Sequence, residues 1–304
     1  MLTDDEIEKY LKAGDIVHDT LDLALDVVKE GVSLLEIAEK LENNIVSKGG
    51  QPAFPVNISI NEIAAHYSPA VNDTKIIPSK SIIKVDVGAH VDGYIADAAI
   101  TISFSPDFDN LLVAAREALR NAESYIHPGK RLGSIGEVIE KVIRRYGFIP
   151  ISNLNGHKIE RYNLHAGKSV PNVSMYTFRK VTRDEVYAIE PFATNGEGFV
   201  IERENGHICQ IMTMRRVKES KELNMFLKGL WRDFRSLPFA ERWVYKKYGK
   251  RGIEDLERLI SLKRVYRYNA LVDRGAGLVS QFEDTMIVRE NKVIVTTRVL
   301  ELFR

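Results

Sequence analysis

Apolar residues recur with the spacing of an amphipathic helix in two pairs of segments, and a β-rich stretch separates the pairs. The four segments are residues 4–30, 33–48, 107–126 and 134–146. Ser33 precedes the second segment and has Glu36 three positions on, which is the sequence pattern of a capping box. A short run at 55–60 predicts a strand. Helix pairs followed by antiparallel strands favour an α+β fold over alternating βαβ units.

The second half of the chain has the pattern of strands, interrupted once. Residues 150–213 and 265–302 are rich in β-branched and aromatic side chains, whereas 217–264 returns to helical spacing. The helical block contains three pieces, KESKELNMFLKGLWRDF, FAERWVYKKYG and GIEDLERLISLKRV. We interpret it as a helical subdomain, 217–264, inserted into one large domain that spans 1–304.

Composition and charge narrow the class of protein. The chain has 304 residues, 44% hydrophobic and 28% charged, as globular proteins do. The single cysteine, Cys209, excludes an internal disulfide. No apolar run predicts a signal peptide or a membrane span. We therefore expect a cytoplasmic protein without membrane contact. Residues 215–267 hold 16 Lys/Arg against 7 Asp/Glu, a net charge of +9 in a chain whose total is +1. This basic segment coincides with the helical block.

Asp86 and Asp97 are the pair that most strongly suggests chemistry. They lie in two β-rich runs joined by Asp92-Gly93, a strong hairpin signal. If the turn centres between Val91 and Asp92, the two acids are directly opposite; if Asp92 and Gly93 are the central residues, they are diagonal neighbours. In both registers they share one face, with Cβ atoms about 5 or about 7 Å apart. Such carboxylates repel unless a proton or cation lies between them. A solvated acidic pair on an exposed sheet is the alternative.

Other chemistry-capable side chains lie in otherwise apolar or glycine-flanked runs. They are His66 in AAHYSP, His157 and His165 in NGHKIERYNLHAG, Glu190 in VYAIEPF and Glu283 in SQFEDTMIV. Each is weak evidence by itself, because a glutamate in a strand is more often an edge residue and a single histidine more often a satisfied core or loop residue. Three further histidines, His18, His90 and His127, suit ordinary structural positions.

Taken together, five motifs resemble those of the type 2 methionine aminopeptidases in order and spacing, over about residues 4–304. They are AAHYSP, KVDVGAHVDGYIADAA, NGHKIERYNLHAGKSVP, YAIEPF and QFEDT. The resemblance implies the pita-bread fold, an α+β catalytic domain with two pseudo-symmetric halves around a dinuclear metal site. It implies five metal ligands, which are Asp86, Asp97, His157, Glu190 and Glu283. The block 217–264 resembles the helical subdomain of type 2 enzymes. Without the long N-terminal extension of eukaryotic members, the sequence resembles the archaeal ones.

The same resemblance implies removal of the N-terminal methionine from nascent proteins and peptides, with a small second residue favoured. Four carboxylates and one imidazole suit two divalent ions such as Co, Mn, Fe or Zn, which can activate a water at neutral pH. Glu190 would take a proton from that water, His165 would stabilise the oxyanion, and His66 would hydrogen-bond the scissile amide. Phe54 and His207 would line the methionine pocket, His207 only after a one-residue gap in the match.

Two other functions are compatible with these residues. An aminopeptidase P or prolidase shares the fold, but those relatives carry a separate N-terminal domain, for which we expect no room before the first helix. A non-catalytic pita-bread protein that binds RNA or protein would have lost metal ligands, whereas all five are present here. We also expect a monomer, as is typical of the family. The basic segment 215–267, centred on YKKYGKR, is compatible with contact to ribosomal RNA, and a solvated helical face with excess Lys and Arg is the alternative.

Overall fold

The predicted helices form, and at three of them a side chain just before the helix, Thr3, Ser33 or Ser220, caps the first turn. The computed structural model describes residues 1–218 and 220–303. Its α-helices are α1 (Asp4–Val27), α2 (Leu34–Ser47), α3 (Asp109–Tyr125), α4 (Leu132–Arg145), α5 (Lys221–Phe234) and α6 (Glu241–Ser261). A full capping box forms at α1, because the Thr3 hydroxyl accepts from the Glu6 amide and the Glu6 carboxylate accepts from the Thr3 amide at 2.8 Å. At α2 the described chain forms half of the predicted box, with Ser33 Oγ accepting from the Glu36 amide at 3.4 Å.

The predicted domain 1–304 contains two positions outside the described residues, Glu219 and Arg304, and the first of them also lies in the predicted helical block 217–264. The strands are β1 (Gln51–Pro52), β2 (Asn57–Ile60), β3 (Ile63–Ala65), β4 (Ile82–Val91), β5 (Tyr94–Ser103), β6 (Ile149–Pro150), β7 (Asn155–Ile159), β8 (Ser169–Pro171), β9 (Glu185–Ile189), β10 (Phe192–Thr194), β11 (Val200–Ile211), β12 (Phe239–Ala240), β13 (Val265–Asp273), β14 (Val279–Gln281), β15 (Asp284–Val288) and β16 (Val293–Val295). All of their pairings are antiparallel among the residues described.

The β4–β5 hairpin adopts the second of the two predicted registers. Gly88 pairs with Asp97 and Asp86 pairs with Ala99, so the two acids are diagonal neighbours. Asp92 and Gly93 are the central turn residues and both have positive φ, 52° and 87°, as a two-residue type I′ turn requires. The turn chemistry therefore sets the register, and the register sets the spacing of the two carboxylates.

Each half of the fold is a helix pair packed on sheet. Helices α1 and α2 pack on the first half, with α1 across β4 and β5, and α3 and α4 pack on the second, where α4 contacts β6 and β8. The halves join where Ala99 of β5 and Glu283 exchange two backbone hydrogen bonds, of 3.0 and 3.4 Å. Buried apolar residues from both halves form one continuous core. The α+β class is confirmed, and the two sheets meet at the strands that carry the predicted ligands.

The helical block between β11 and β13 consists of α5 and α6, with the short β12 between them. The predicted break between the last two pieces is at Gly249, whose φ of 62° and ψ of −160° interrupt the helical conformation inside α6. A buried ion pair ties α6 to α2: Arg242 bonds to the Glu42 carboxylate, and Trp243 Nε1 donates to the same carboxylate at 2.8 Å. Arg242 also donates to Ser68 Oγ at 2.8 Å. The block is thus bonded to the first half.

Two short segments differ from the predicted elements. Pro106–Phe108 at the start of the third predicted helix and Val299–Phe303 at the end of the predicted C-terminal strands are 3-10 helices. Gly14 of α1 lies directly on the chain just before the second of these, because a Cβ there would be 2.4 Å from the Thr296 carbonyl oxygen. No helix in residues 1–218 and 220–303 is both long and apolar enough to cross a membrane.

Candidate metal centre

The five predicted ligands come from five separate positions and meet at one cavity. Asp86 lies on β4, Asp97 on β5 and His157 on β7, while Glu190 follows β9 and Glu283 precedes β15. The cavity has a volume of about 200 Å³. Eight of the nine predicted site residues line it, namely Phe54, His66, Asp86, Asp97, His157, His165, Glu190 and Glu283. Ligands separated by 11 to 197 positions along the chain therefore converge where the two halves join.

The ligand atoms of Asp97, His157 and Glu283 all lie within 4.8 Å of one another. His157 Nε2 is 3.5 Å from Asp97 Oδ2 and 3.9 Å from Glu190 Oε1. These gaps exceed a good hydrogen bond. They suit atoms that share an ion, because two ligands each about 2.0–2.2 Å from one metal are themselves about 3–4 Å apart.

Burial makes negative charge costly at this site. Burial and the charge of Asp97 raise the pKa of Asp86 well above its usual range, and burial raises the pKa of Asp97 to about 8. Burial and the neighbouring carboxylates likewise raise the pKa values of Glu190 and Glu283. Burial lowers the pKa of His157 to about 4, which leaves its imidazole neutral at pH 7. At that pH the carboxylates need either protons or cations to lie so close together.

Several buried carboxylate oxygens here have no hydrogen-bond partner within the described structure. They are Asp86 Oδ1, Asp97 Oδ1 and Glu283 Oε1. Buried polar atoms are nearly always satisfied in folded proteins, so three orphans in one cavity require an explanation. Oxygen-rich ligation with one imidazole nitrogen suits divalent ions of borderline hardness. The residues present therefore fit a metal centre.

Two residues that the sequence did not single out hold ligands in place. Gln281 Nε2 donates to Glu283 Oε2 at 3.0 Å. Thr285 Oγ1 accepts from the Asp97 amide at 2.9 Å and donates to the Asp97 carbonyl oxygen at 2.8 Å. Outer bonds of this kind orient metal ligands. The strand period offered a signal, because residues 281, 283 and 285 alternate along one stretch of chain.

His66 and His165 lie beside the carboxylate cluster. The His165 ring packs against that of His157 with centroids 4.4 Å apart, and the rest of it faces the open cavity. Burial, and after it the charge of His165, lowers the pKa of His66 to about 4. Partial burial and then His157 lower the pKa of His165 too. Both rings are therefore neutral at pH 7, so each has one N–H donor and one acceptor nitrogen.

The backbone at His66 has a left-handed conformation, with φ of 62°. Gly206 makes this placement possible, because a Cβ there would be 1.9 Å from the His66 carbonyl oxygen. The Ser68 amide donates to the Gly206 carbonyl oxygen at 3.0 Å and holds the two segments together. Such conformations are costly in non-glycine residues and concentrate at functional sites.

The two residues predicted for the methionine pocket have different surroundings. Phe54 lines the cavity, and its ring occupies the space above Gly88, where a Cβ would be 2.2 Å from Phe54 Cε1. His207 is not among the lining residues; it lies in an irregular part of β11 with φ of 59°, and its Nδ1 is 3.0 Å from Glu241 Oε2. Its neighbour Ile208 lines the cavity instead. A strand irregularity of this kind left no signal in the sequence.

A larger cleft of about 710 Å³ lies between α2 and the helical block. Pro238 lines both this cleft and the cavity, and buried Leu237 packs with Phe54 between them. The carboxylate oxygens of Asp86, Asp97 and Glu283 that have no partner within the described structure line the smaller cavity, so the chemistry belongs there despite the difference in size.

Comparison with known proteins agrees with this assignment. The model of the metallopeptidase family M24 matches residues 8–290. The methionine aminopeptidase of Methanocaldococcus jannaschii is 43% identical over 96% of this chain and 98% of its own length. That of Saccharolobus solfataricus is 42% identical over 98% of this chain and all of its own. The chain belongs to the methionine aminopeptidases of metallopeptidase family M24. The predicted family and its enzyme class, a metallo-exopeptidase, are confirmed.

Solved structures agree with the fold of a methionine aminopeptidase. The structure of the methionine aminopeptidase from Thermotoga maritima has a TM-score of 0.72 at 22% identity, and the match covers 97% of this chain and 98% of the other. A thermophilic Arx1 has a TM-score of 0.84 at 16% identity, covering 97% and 91%. Prolidase from Pyrococcus furiosus has a TM-score of 0.61 at 17% identity, covering 97% of this chain and 64% of the other. At these identities the likeness is one of fold, and the expected pita-bread fold is confirmed.

We predict that Asp97→Asn stabilises the metal-free protein and abolishes its stabilisation by metal. Removing one buried acid from the cluster should raise the free energy of unfolding in chelator by about 1–3 kcal/mol. Divalent metal at a hundredfold excess over Kd should add about 2.7 kcal/mol to the unmodified protein, and little to the variant. Thermal unfolding with and without chelator measures both effects.

The matched control is Asp92→Asn, which changes the same residue type in the exposed turn of the same hairpin. It should behave like the unmodified protein in both conditions. Equal stabilisation of Asp97→Asn and the unmodified protein by metal would show that Asp97 holds no ion.

Proposed function

We propose that this enzyme removes the N-terminal methionine from nascent proteins and peptides, using two divalent ions and favouring a small second residue. The observation that carries the proposal is the convergence of four carboxylates and one neutral imidazole on one buried cavity with unsatisfied ligand oxygens. The methionine aminopeptidases to which the chain is similar supply the substrate class.

Asp86, Asp97, His157, Glu190 and Glu283 would hold the ions, of the Co, Mn, Fe or Zn type. Their four carboxylates carry the charge that two divalent cations neutralise. Bound ions would supply Lewis acidity and a low-pKa water to the cavity. Gln281 and Thr285 would keep Glu283 and Asp97 in position through the hydrogen bonds described above.

Three side chains would carry the proton transfers and the stabilisation of charge. Glu190, whose pKa is raised by burial and then by Asp97 and Asp86, would accept the proton of the attacking water. The neutral His165 would donate its N–H to the carbonyl oxygen as negative charge develops there. His66, also neutral and rigidly seated against Gly206, would hydrogen-bond the scissile amide.

The apolar part of the cavity would take the methionine side chain. Phe54, Leu164, Phe192 and Ile208 line it and offer an apolar surface. His207 was expected in this role, and we assign its place to Ile208, because the His207 ring nitrogen faces Glu241. A cavity of about 200 Å³ must also admit the second residue, which favours a small one there.

The decisive experiment compares peptides after metal loading. Met-Ala-Ser should be cleaved to release free methionine, and an Ala-Pro peptide should not be cut. Preference for Ala-Pro would assign the enzyme to the aminopeptidase P or prolidase group. No cleavage of either peptide by a protein with two bound metals would support a non-catalytic binding protein instead.

We predict that His165→Ala lowers turnover of Met-Ala-Ser by about 10²–10⁴-fold, the usual effect of losing a positioned donor, while both metals stay bound. Elemental analysis measures the metal content. His127→Ala is the matched control, since His127 is exposed and remote in sequence from the ligands. Loss of metal together with activity in His165→Ala would make His165 a ligand.

We further propose that the enzyme works as a cytoplasmic monomer and contacts the ribosome through the basic segment 215–267. Of the four cations in YKKYGKR, Lys247 is paired with Asp233 at 2.6 Å and Arg251 with Asp255 at 3.3 Å. Lys246 and Lys250 are exposed and make no ion pair within residues 1–218 and 220–303. Those two lysines are the strongest candidates for a phosphate contact.

Reversing both charges, Lys246→Glu with Lys250→Glu, should weaken co-sedimentation with ribosomes, and binding by the unmodified protein should fall steeply with salt. Cleavage of free tripeptides should be unchanged. The control is the double variant Lys29→Glu with Lys40→Glu, which reverses two exposed charges in the N-terminal part of the chain, far in sequence from the basic segment. Unchanged ribosome association of the first variant at low salt would refute the contact.

A further inference from the structure

Two aromatic side chains on the loop after β8 are the most exposed aromatic residues in the described chain. Tyr176 is 73% exposed and Phe178 is 77% exposed, and Met175 beside them is 51% exposed. The two rings meet edge to face, with centroids 5.0 Å apart. Apolar surface concentrated on one short loop points to a contact surface, whereas single scattered residues do not.

Four cations lie on the two backbone segments that meet beside these rings. They are Lys130 and Arg131 before α4, and Arg179 and Lys180 on the loop, and an isolated β-bridge pairs Arg131 with Lys180. The Arg131 guanidinium lies 5.8 Å from the Tyr176 ring centroid. We refer to Lys130, Arg131, Tyr176, Phe178, Arg179 and Lys180 as the aromatic–basic patch.

The charge of this patch is not neutralised. None of its four cations makes an ion pair in the part of the chain that the structure describes, and residues 161–183 contain no Asp or Glu. Two carboxylates that accept backbone hydrogen bonds from the loop are already engaged, Glu185 by Lys168 at 2.7 Å and Glu140 by Arg144 at 2.8 Å. The helical block differs, because many of its cations are paired within the fold. Arg131 and Lys180 therefore remain available to an anionic partner beside the exposed rings, whereas Lys130 lies over the Tyr125 ring at 4.0 Å and Arg179 donates to the Gly167 carbonyl oxygen.

The backbone beneath the rings is held firmly. Gly133 and Gly136 of α4 lie against the loop, where Cβ atoms would come within 1.7 Å of the Met175 carbonyl oxygen and 2.2 Å of the Val173 carbonyl oxygen. The Leu132 amide donates to the Arg179 carbonyl oxygen at 3.0 Å. A fixed backbone presents the rings with little further loss of entropy on binding.

We propose that the aromatic–basic patch binds single-stranded nucleic acid. Bases stack on exposed aromatic rings whatever their sequence, and neighbouring Arg and Lys side chains neutralise the phosphates between them. Tyr176 and Phe178 supply two exposed rings, and Arg131 lies over Tyr176 and pairs through its backbone with Lys180. The patch lies outside the metal cavity, so this binding is a property separate from the peptidase activity.

Single-stranded nucleic acid fits these features better than a protein or a lipid surface does. Three exposed apolar side chains are far fewer than the roughly 20–30 residues that a stable protein interface uses on each side. Lipid tails have no flat faces to match two rings that are held edge to face beside an arginine. Unstacked bases have such faces, and their backbone carries one negative charge per nucleotide.

The test is fluorescence anisotropy of a labelled single-stranded RNA of about 16 nucleotides at about 50 mM salt, where phosphate contacts are strong. Tyr176→Ala with Phe178→Ala should weaken binding about 10-fold or more, because stacking is lost. Arg131→Gln with Lys180→Gln should make the slope of log K against log salt shallower by about 1.4, since each phosphate contact on a single strand contributes about 0.7. Metal content and tripeptide cleavage should be unchanged in both variants.

Two controls separate the patch from general surface effects. Phe199→Ala removes another exposed ring with an arginine over it, but there Arg274 is paired with Glu197. Lys29→Gln with Lys40→Gln removes two cations elsewhere. Both should leave affinity within about twofold, as distant surface changes do. Single-stranded DNA of the same sequence shows whether the sugar contributes to binding. Patch-dependent binding of either the RNA or the DNA supports the proposal.

Three results would overturn it. They are no binding of single strands by the unmodified protein at low salt, equal losses in the patch variants and the controls, and binding of a duplex as tightly as of a single strand. Patch-dependent binding of anionic phosphatidylserine vesicles without oligonucleotide binding would assign the surface to membranes and would also overturn it.

Discussion

Repulsion among four buried carboxylates is the constraint on which the rest of this structure depends. Asp86, Asp97, Glu190 and Glu283 come together in one buried cavity, and burial raises the pKa of each. A fold reaches such an arrangement only when something offsets the charge and when the surrounding backbone is too rigid to relax away from it. Hydrogen bonds at the junction of the halves provide that rigidity. Two join the backbones of Ala99 and Glu283, and two join the Thr285 hydroxyl to the backbone of Asp97.

The same constraint explains why the metal ligands lie on or beside strands and the other two histidines lie on irregular segments. Ligands that must stay within a fraction of an ångström lie on or directly beside paired strands, whereas His66 and His165 lie on irregular segments beside them. His66 holds its position through a left-handed backbone and the missing Cβ of Gly206. Substrate contacts thus depend on close backbone packing, and metal ligation depends on strand register.

Much of the fold followed from the sequence, because helix spacing and the Asp92-Gly93 turn are local signals. The turn even limited Asp86 and Asp97 to two registers, and positive φ at both turn residues selects the diagonal one. Local reasoning missed what distant partners decide. The irregularity in β11 depends on pairing with β13, and it turns His207 towards Glu241 and leaves Ile208 in the cavity. Gln281 gains its role only because Glu283 lies beside it with an oxygen that accepts its hydrogen bond. The predicted capping box at Ser33 is half formed, with the bond from the Glu36 amide to Ser33 Oγ.

The buried contact of Glu42 with Arg242 and Trp243 bears on whether the helical block can be treated as a detachable module. Glu42 belongs to the first helix pair, and its partners are 200 positions further along the chain. Excising the block would leave a buried carboxylate without its cation, at a cost that removal of exposed helices alone would not incur. A shortened relative would therefore need an apolar residue at position 42. Gain or loss of the block and the identity of that residue should accordingly change together in evolution.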